Sequence, residues 1–385
     1  MSGRSIYLDY HATTPVDPRV LQAMLPYFTE VFGNPASASH AFGWKAQEAV
    51  ETARRQVAAL IGATAREIIF TSGATESNNF AIRGVTERAG TTRRRLVTSA
   101  IEHKSILEAY ARLATQGWDV VVVPVDRGGR VKLDAMADAV NADTAFVSVM
   151  AANNEIGAVQ PLEDIGRIAR DNGALFHVDG AQAVGKVPID VNAMNIDLLS
   201  LTGHKMYGPK GCGALFIRKR TELIPLITGG GQERGLRAGT LNVPGIVGLG
   251  CACEICKKEM TEENTRLRHL RDKLLNGLTS QLDGVIVNGT LEHRLPHNLH
   301  VSFERVEGQS VLMGIGDIAV SSGSACQSAS GKPSHVLSAI WGEECVPTAS
   351  FRFGIGRTTT EEEIDYVIDK FATVVKKMRE LAPVH

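Results

Sequence analysis

Two short stretches decide the fold: His177-Val178-Asp179 and Ser200-Leu201-Thr202-Gly203-His204-Lys205. Each closes an apolar run, as expected where a buried strand of a parallel sheet ends. Loops after such strands form the binding edge of an α/β sheet, so both polar ends should meet there. A lysine beside a buried carboxylate suits pyridoxal 5'-phosphate (PLP). The lysine carries PLP as a Schiff base, and the carboxylate keeps the pyridinium nitrogen protonated.

The pattern around these stretches is that of a layered α/β protein. Several apolar runs are solid rather than alternating, which indicates strands covered on both faces. The sequence therefore predicts an α/β fold with a large, mostly parallel sheet covered by helices. The predicted strands are Glu67–Thr71, Arg95–Ser99, Asp119–Val123, Thr144–Met150, Ala174–Val178, Asp197–Leu201 and Gly213–Ile217, and the helices between them include Lys104–Gln116, Leu133–Asn141 and Leu162–Asn172.

The pattern changes after about residue 260. A charged helix is predicted at Glu262–Leu278, followed by short strands and a terminal helix that begins near Thr360. We therefore predict a large domain over residues 16–260. A smaller α+β domain is predicted to combine residues 1–15 with residues 261–385 and to carry a loop at about 321–333.

Composition argues against several classes of protein. The 385 residues carry a formal net charge of −1, and 22% of them are charged, so nothing favours a dedicated nucleic-acid or membrane-surface binder. No apolar run approaches the roughly 20 residues of a spanning helix, and no secretory leader is recognisable. We expect a cytoplasmic protein whose six cysteines are reduced.

Three further segments are candidates for the same site. The segment Thr71–Ser77 opens a helix with small residues and hydroxyls, which suits a phosphate cradle but also an ordinary helix cap. His103 follows a predicted strand and could stack on a flat ring and shuttle protons, or simply begin a helix. Gln182 is placed to donate to a ring hydroxyl, although it could equally be a surface glutamine.

Two arginine-containing segments are candidates for binding anions. The loop Gly229–Thr240 is rich in glycine and cationic, so it could approach a ligand or another subunit closely, or be a flexible connector. Arg352 lies on a late predicted strand and could clamp a substrate carboxylate, or form a structural ion pair.

The cysteines divide into two kinds. Cys326 lies among Ser, Gly and Ala, the composition of an exposed loop, and a loop cysteine beside a PLP lysine suggests sulfur chemistry on an amino acid. Cys251, Cys253 and Cys256 fall in one predicted helix, and their spacing gives no complete tetrahedral set, so buried helix cysteines are favoured over a metal site. Cys212 and Cys345 are interpreted as structural.

Six motifs together resemble the cysteine desulfurases, within the IscS/NifS-like group of the class-V aminotransferase family, which has PLP fold type I. The resemblance spans nearly the whole chain, and the motifs occur in the expected order. They are Tyr7–Pro15, Phe32–Ser37, Thr71–Asn78, Asn153–Gly157, Gly203–Gly211 and Ser321–Cys326.

The resemblance implies a role for each motif residue. Lys205 would hold PLP, Asp179 would pair with the pyridine nitrogen, His103 would stack on the ring and Gln182 would contact the ring oxygen. Further residues would bind the phosphate (Ala74, Thr75, Thr202, His204 and, from a second subunit, Thr240), border the ring and substrate (Asn154), or hold the substrate carboxylate (Asn34 and Arg352).

The implied reaction converts L-cysteine to L-alanine, with the sulfur held as a persulfide on Cys326 and passed to an acceptor protein. The resemblance implies a homodimer with no resident metal and allows Cys326 to ligate an iron–sulfur cluster transiently. Two alternatives stay open: a selenocysteine lyase of the same fold, and a mainly structural partner in a sulfur-transfer complex. The chain ends at His385, short of the tail with which well-known members bind an iron–sulfur scaffold, so the acceptor is left open.

Overall fold

The computed structural model describes residues 5–88, 92–322, 334–343, 346–347 and 349–381. The predicted sulfur carrier Cys326, together with Cys345, lies outside the described residues. Within the described ranges, no helix combines the length and apolar character needed to cross a membrane.

In chain order, the strands and α-helices of the first 217 residues are β1 (Ile6–Tyr7), α1 (Pro18–Met24), α2 (Pro26–Thr29), α3 (Ala41–Ile61), β2 (Ile68–Thr71), α4 (Ala74–Arg88), β3 (Arg95–Ser99), α5 (Lys104–Ala114), β4 (Asp119–Val123), α6 (Leu133–Ala139), β5 (Thr144–Met150), α7 (Leu162–Asp171), β6 (Leu175–Asp179), β7 (Leu198–Thr202) and β8 (Gly213–Ile217). Strands and helices alternate from β2 to β6, as the sequence predicts, whereas within the described residues three helices precede β2 and the strands β6, β7 and β8 follow one another without an intervening α-helix.

The remaining elements form the C-terminal part of the chain. They are α8 (Val243–Gln281), β9 (Val285–Val287), β10 (Asn298–Phe303), α9 (Gly308–Gly314), β11 (Ile318–Ala319), β12 (Ser321–Ser322), α10 (His335–Trp341), β13 (Ser350–Gly354) and α11 (Glu361–Leu381).

The main sheet confirms the predicted α/β class. Its seven strands run in the order β2-β8-β7-β6-β5-β3-β4, and only β8 is antiparallel to its neighbours. Strands β2, β7 and β8 are buried along their whole length, which explains their solid apolar runs. Strands β6 and β7 lie side by side in parallel, with Asp179 opposite Ser200, so their polar carboxyl ends meet at one edge of the sheet.

A second, antiparallel sheet in the order β12-β13-β10-β9 supports the other side of the site. Ser321 of β12 lies opposite Arg352 of β13 in this sheet. The short strand β1 pairs in parallel with β11, which brings the N-terminal segment to the C-terminal part of the chain.

The prediction of a separate helix at Glu262–Leu278 was wrong. A single helix, α8, runs without a break for 39 residues across residue 260. The change in composition marks a change of surroundings: Leu249 and Cys253 pack in the core beneath the main sheet, whereas Leu267 and Leu274 pack in a second core with α11. The residues at the junction, Lys257-Lys258-Glu259-Met260, are good helix formers, so nothing in them ends the helix. The division into two domains stays a prediction.

Candidate active site

A cavity of about 730 Å³ lies at the carboxyl ends of the central strands. It collects nearly all of the side chains that the sequence indicated. They are Ala74, Thr75, His103, Asn154, Asp179, Gln182, Thr202, His204, Lys205 and Arg352.

Lys205 lies in a short 3-10 turn, Gly203–Lys205, directly after β7. Its Nζ donates hydrogen bonds to the carbonyl oxygens of His11 and, at 2.8 Å, of Ala12. Burial, followed by the charge of Arg352, lowers the pKa of Lys205 to about 8. The amine therefore exchanges its proton close to neutral pH, as an imine-forming or proton-transferring lysine must.

Asp179 ends β6 and is buried at the floor of the cavity. Its Oδ2 accepts a hydrogen bond from Asn78 Nδ2 at 2.7 Å, and its Oδ1 accepts one from the backbone N–H of Ala181 at 3.0 Å. These two hydrogen bonds fix the orientation of the Asp179 side chain in the cavity. Asn78 was missed as a site residue, although the quoted motif Thr71–Asn78 contains it.

Asn78 also connects Asp179 to His103. Its Nδ2 donates to Ser105 Oγ at 2.9 Å, and that hydroxyl lies 2.8 Å from His103 Nδ1. The backbone N–H of Ser105 also donates to His103 Nδ1, at 3.2 Å, so His103 caps helix α5. The two interpretations of His103 are therefore compatible, because its Nδ1 caps the start of helix α5 while the side chain still lines the cavity.

The start of helix α4 has the features of a phosphate cradle. Gly73 lines the cavity and has a φ of +149°, a backbone conformation that favours glycine. Gly213 packs tightly against this turn, because a Cβ placed on Gly213 would come within 2.6 Å of the Gly73 Cα atom. Thr75 lies in the first turn, where backbone N–H groups and the helix dipole favour an anion. The donor set thus fits the phosphate of PLP.

His204 and Thr202 complete this end of the cavity. His204 Nδ1 lies 3.1 Å from Thr13 Oγ1. Burial, with the charges of Lys205 and Lys210, lowers the pKa of His204 to about 4, so its ring is neutral at physiological pH. A neutral imidazole can donate to an anion from one nitrogen while the other accepts.

Gln182 is held by a second residue that the sequence did not reveal, the buried His11. Gln182 Oε1 lies 3.1 Å from His11 Nδ1, and Gln182 Nε2 donates to the His11 carbonyl at 3.0 Å. Burial holds the pKa of His11 well below its usual value, so the ring is neutral. Its Nδ1–H donates to Gln182, and its Nε2 accepts from Asn298 Nδ2 at 3.0 Å. Residues of the N-terminal segment thus form one wall of the cavity.

Arg352 forms a structural ion pair, which was one of its two sequence interpretations, and its role as a carboxylate clamp stays a prediction. It forms an ion pair with Asp9, with 2.7 Å between Nη2 and Oδ1, and it also lines the cavity. Its Nη1 donates to the Asn154 carbonyl at 2.9 Å, whereas its buried Nε has no hydrogen-bond partner within the described part of the chain. The guanidinium is therefore oriented by the protein and keeps donor capacity for a ligand.

Two predicted site residues lie elsewhere in this chain. Asn34 is exposed, accepts a hydrogen bond from the Ala36 N–H at 3.0 Å, and lines a second cavity with Arg54 and Glu233. Thr240 is exposed at the end of the Gly229–Thr240 loop. Their assigned roles stay predictions, and within a single chain the structure does not bring either of them to the main cavity.

The helix cysteines lie as predicted. Cys253 and Cys256 are buried in α8, and Cys251 is half-buried. Burial raises the pKa of all three thiols, which makes them poor nucleophiles. Among the described residues, no group of His, Cys, Asp or Glu side chains is placed to hold a metal ion.

Comparison with known proteins decides the family. The class-V aminotransferase family model matches residues 6–367. The cysteine desulfurase IscS of Anaeromyxobacter sp. (strain K) is 54% identical over 382 residues, covering 99% of this chain and 95% of that protein. The chain belongs to the cysteine desulfurases of the class-V aminotransferase family. IscS of Rickettsia bellii is 53% identical over 380 residues, covering 98% of this chain and 93% of that protein.

Solved structures agree with this family membership. A NifS-like protein superposes with a TM-score of 0.91 at 40% identity, covering 97% of this chain and 100% of that chain. SspA in complex with cysteine superposes with a TM-score of 0.81 at 38% identity, covering 91% of this chain and 99% of that chain. The predicted fold and family are therefore both confirmed.

Proposed function

We propose that this protein uses PLP bound at Lys205 to convert L-cysteine to L-alanine and holds the released sulfur on Cys326. The observation that carries the proposal is the meeting of Lys205 and Asp179 in one cavity, at the ends of neighbouring parallel strands. Family membership among the cysteine desulfurases supports sulfur release from cysteine as the reaction.

The residues of the cavity fit PLP. Asp179 would face the pyridine nitrogen, His103 the ring and Gln182 the ring oxygen, while the start of helix α4 with Thr202 and His204 would hold the phosphate. When bound, PLP supplies an electron sink for charge that develops at the substrate Cα.

Lys205 is the proposed proton carrier. Once the substrate amine has replaced it, its own amine is free, and a pKa of about 8 lets it accept the Cα proton near neutral pH. The carbonyl oxygens of His11 and Ala12 hold its Nζ within the cavity, so the amine is kept close to the reacting atoms.

Arg352 and Asn154 are proposed to position the substrate. A planar guanidinium binds a carboxylate with paired hydrogen bonds, and the Arg352 side chain lines the cavity. Because the Asn154 carbonyl holds Arg352 Nη1, the main chain at Asn154 fixes the arginine. Asn154 itself lines the cavity beside the ring position.

Sulfur transfer is assigned to Cys326. Its thiolate would attack the substrate sulfur, so that an S–S bond forms as the substrate Cβ–S bond breaks. The electron pair of the broken bond stays with the substrate carbon skeleton, which takes up a proton at Cβ and regains one at Cα to become L-alanine, while the transferred sulfur remains on Cys326 as a persulfide. Strand β12 leads directly into the segment that contains Cys326, and Ser321 of β12 lines the cavity, so the chain enters that segment at the active site. A sulfur-acceptor protein would then receive the persulfide sulfur. We also propose a homodimer in which Thr240 of each subunit contacts the phosphate of the PLP bound by the other subunit.

Reduction with borohydride, followed by peptide mapping, tests the cofactor assignment. The reduced cofactor is expected on the peptide that contains Lys205, and Lys205→Ala is expected to lose both the label and alanine formation. Label on Lys210 or Lys186 would refute the assignment. Assaying Cys326→Ala with cysteine and selenocysteine separates the desulfurase from a selenocysteine lyase, which need not depend on this thiol.

A further inference from the structure

Asp9 is held next to Arg352 by backbone pairing. The Gly354 N–H donates to the Leu8 carbonyl at 2.7 Å, and the Tyr10 N–H donates to the Gly354 carbonyl at 3.3 Å. Residues 8–10 therefore run along the end of β13, and the Asp9 carboxylate reaches the Arg352 guanidinium at 2.7 Å. Both side chains are largely buried, with exposed fractions of 20% and 10%. This ion pair is a fixed part of the cavity wall.

Ser321 closes the arrangement on the other side. Its Oγ donates to Asp9 Oδ1 at 3.0 Å and accepts from Arg352 Nη2 at 2.9 Å. A guanidinium has five N–H donors. Both Nη2 donors and one Nη1 donor have partners here, whereas Nε has none among the residues the structure describes. Asp9 and Ser321 thus occupy the Nη2 end of Arg352, whereas Nη1 has a single partner among the described residues, the Asn154 carbonyl.

Asp9 also lies close to the lysine. Lys205 Nζ donates to the carbonyl oxygens of His11 and Ala12, which follow Asp9 in the same segment, and all of these residues line one cavity. Burial and the Arg352 charge lower the pKa of Lys205, whereas the Asp9 charge raises it. The amino group of a substrate that replaces Lys205 therefore enters the cavity close to Asp9, whose negative charge attracts an ammonium group.

We propose that Asp9 and Arg352 form a recognition pair for the zwitterionic headgroup of an α-amino acid. Arg352 takes the α-carboxylate, and Asp9 attracts the α-ammonium as the substrate enters. The inference rests on the proposed function, in which Arg352 binds the carboxylate, and adds Asp9 as the determinant of the amine. A purely structural Asp9, which only orients Arg352, would weaken the ligands that carry a carboxylate and leave an amine without a carboxylate unaffected.

Three small ligands separate these roles: L-alanine carries both charged groups, propionate lacks its ammonium group, and ethylamine lacks its carboxylate. Their inhibition constants against L-cysteine turnover are measured, and their binding to cofactor-free protein is measured by ligand-observed NMR. Asp9→Asn is expected to weaken ethylamine and L-alanine by about 5- to 10-fold and to leave propionate unchanged or tighter, because it removes one negative charge. Arg352→Gln is expected to weaken propionate and L-alanine but not ethylamine.

Control variants make the result decisive. Asp119→Asn removes a carboxylate that pairs with Arg95 on the surface and should change none of the three constants. Asp9→Glu keeps the negative charge and should keep the wild-type order of the three inhibition constants. Asp9→Ser is a second uncharged variant for use if Asp9→Asn folds poorly. Unchanged ethylamine binding in the uncharged variants, with or without weaker propionate binding, would overturn the role of Asp9, and so would equal weakening of all three ligands. Failure of Arg352→Gln to weaken propionate would instead refute the carboxylate assignment of Arg352.

Discussion

The side-chain amide of Asn78 donates a 2.7 Å hydrogen bond to Oδ2 of Asp179. The same nitrogen donates to Ser105 Oγ, so one residue of helix α4 orients the floor of the cavity and the start of helix α5. A carboxylate that must face a cationic ring nitrogen depends on such support, because an unfixed side chain would lose its alignment.

Asn78→Ala is therefore expected to weaken PLP binding by about 10- to 100-fold, since hydrogen bonds to charged groups contribute on the order of 1.5–3 kcal/mol. Equilibrium titration of cofactor-free protein with PLP, followed by absorbance, measures the change. Asn276→Ala, at an exposed position of α8, is the matched control and should bind PLP as the wild type does. Wild-type affinity in Asn78→Ala would show that Asp179 needs no such support.

Composite active sites are predicted for the homodimer. Lys205→Ala and Thr240→Ala subunits should each be impaired alone, because each lacks one half of the proposed site. Mixed and reassociated in equal amounts, they should recover about a quarter of wild-type activity, since half of the dimers would be mixed and each would contain one intact site. No recovery on mixing, or a fully active monomer in sedimentation, would contradict the arrangement.

The proton equilibrium of Lys205 can be measured in cofactor-free protein. Acetylation of its amine should titrate with a midpoint near pH 8, in line with the lowered pKa of Lys205, rather than near the usual value of about 10.4. Arg352→Gln should move the midpoint upward, because the Arg352 charge is one of the causes that lower it. Competitive labelling with acetic anhydride and peptide mass spectrometry gives the midpoint. An unchanged midpoint in Arg352→Gln would remove Arg352 from the electrostatics of Lys205.

Glu102 provides a test through stability. It is fully buried beside the site, and its Oε1 accepts hydrogen bonds from Ser99 Oγ and the Met150 N–H, whereas its Oε2 has no partner among the described residues. Burial raises the pKa of Glu102 to about 8. A carboxyl group whose pKa is raised on folding costs stability progressively as pH rises from its unfolded value of about 4.3 to its folded value.

Glu102→Gln should therefore match the wild type near pH 4.5 and exceed its stability at pH 8 by on the order of 1–3 kcal/mol. Urea unfolding at the two pH values measures this difference. Glu108→Gln, on the exposed side of helix α5, should show no such pH dependence. A variant less stable than the wild type at pH 8 would mean that the ionised carboxylate is accommodated.

The strands and the residues that follow them were predictable, and the long-range contacts were not. Buried parallel strands need solid apolar runs, so the ends of β6 and β7 could be located, and with them Asp179 and Lys205. The contribution of Asp9 and His11 to the cavity wall was missed, although the motif Tyr7–Pro15 contains both, because nothing local shows which side chains of the N-terminal segment face the site. The continuity of α8 was missed for a related reason: its change in composition reflects two different partners along one helix.

Sulfur transfer through Cys326 can be observed by mass spectrometry of the protein after a single turnover with L-cysteine. The account predicts a gain of one sulfur atom, about 32 Da by the chemistry of a persulfide, on the peptide that contains Cys326. Cys326→Ala should still bind PLP and L-cysteine but acquire no such sulfur. The same gain on Cys212, Cys345 or the peptide with Cys251–Cys256 would contradict the account.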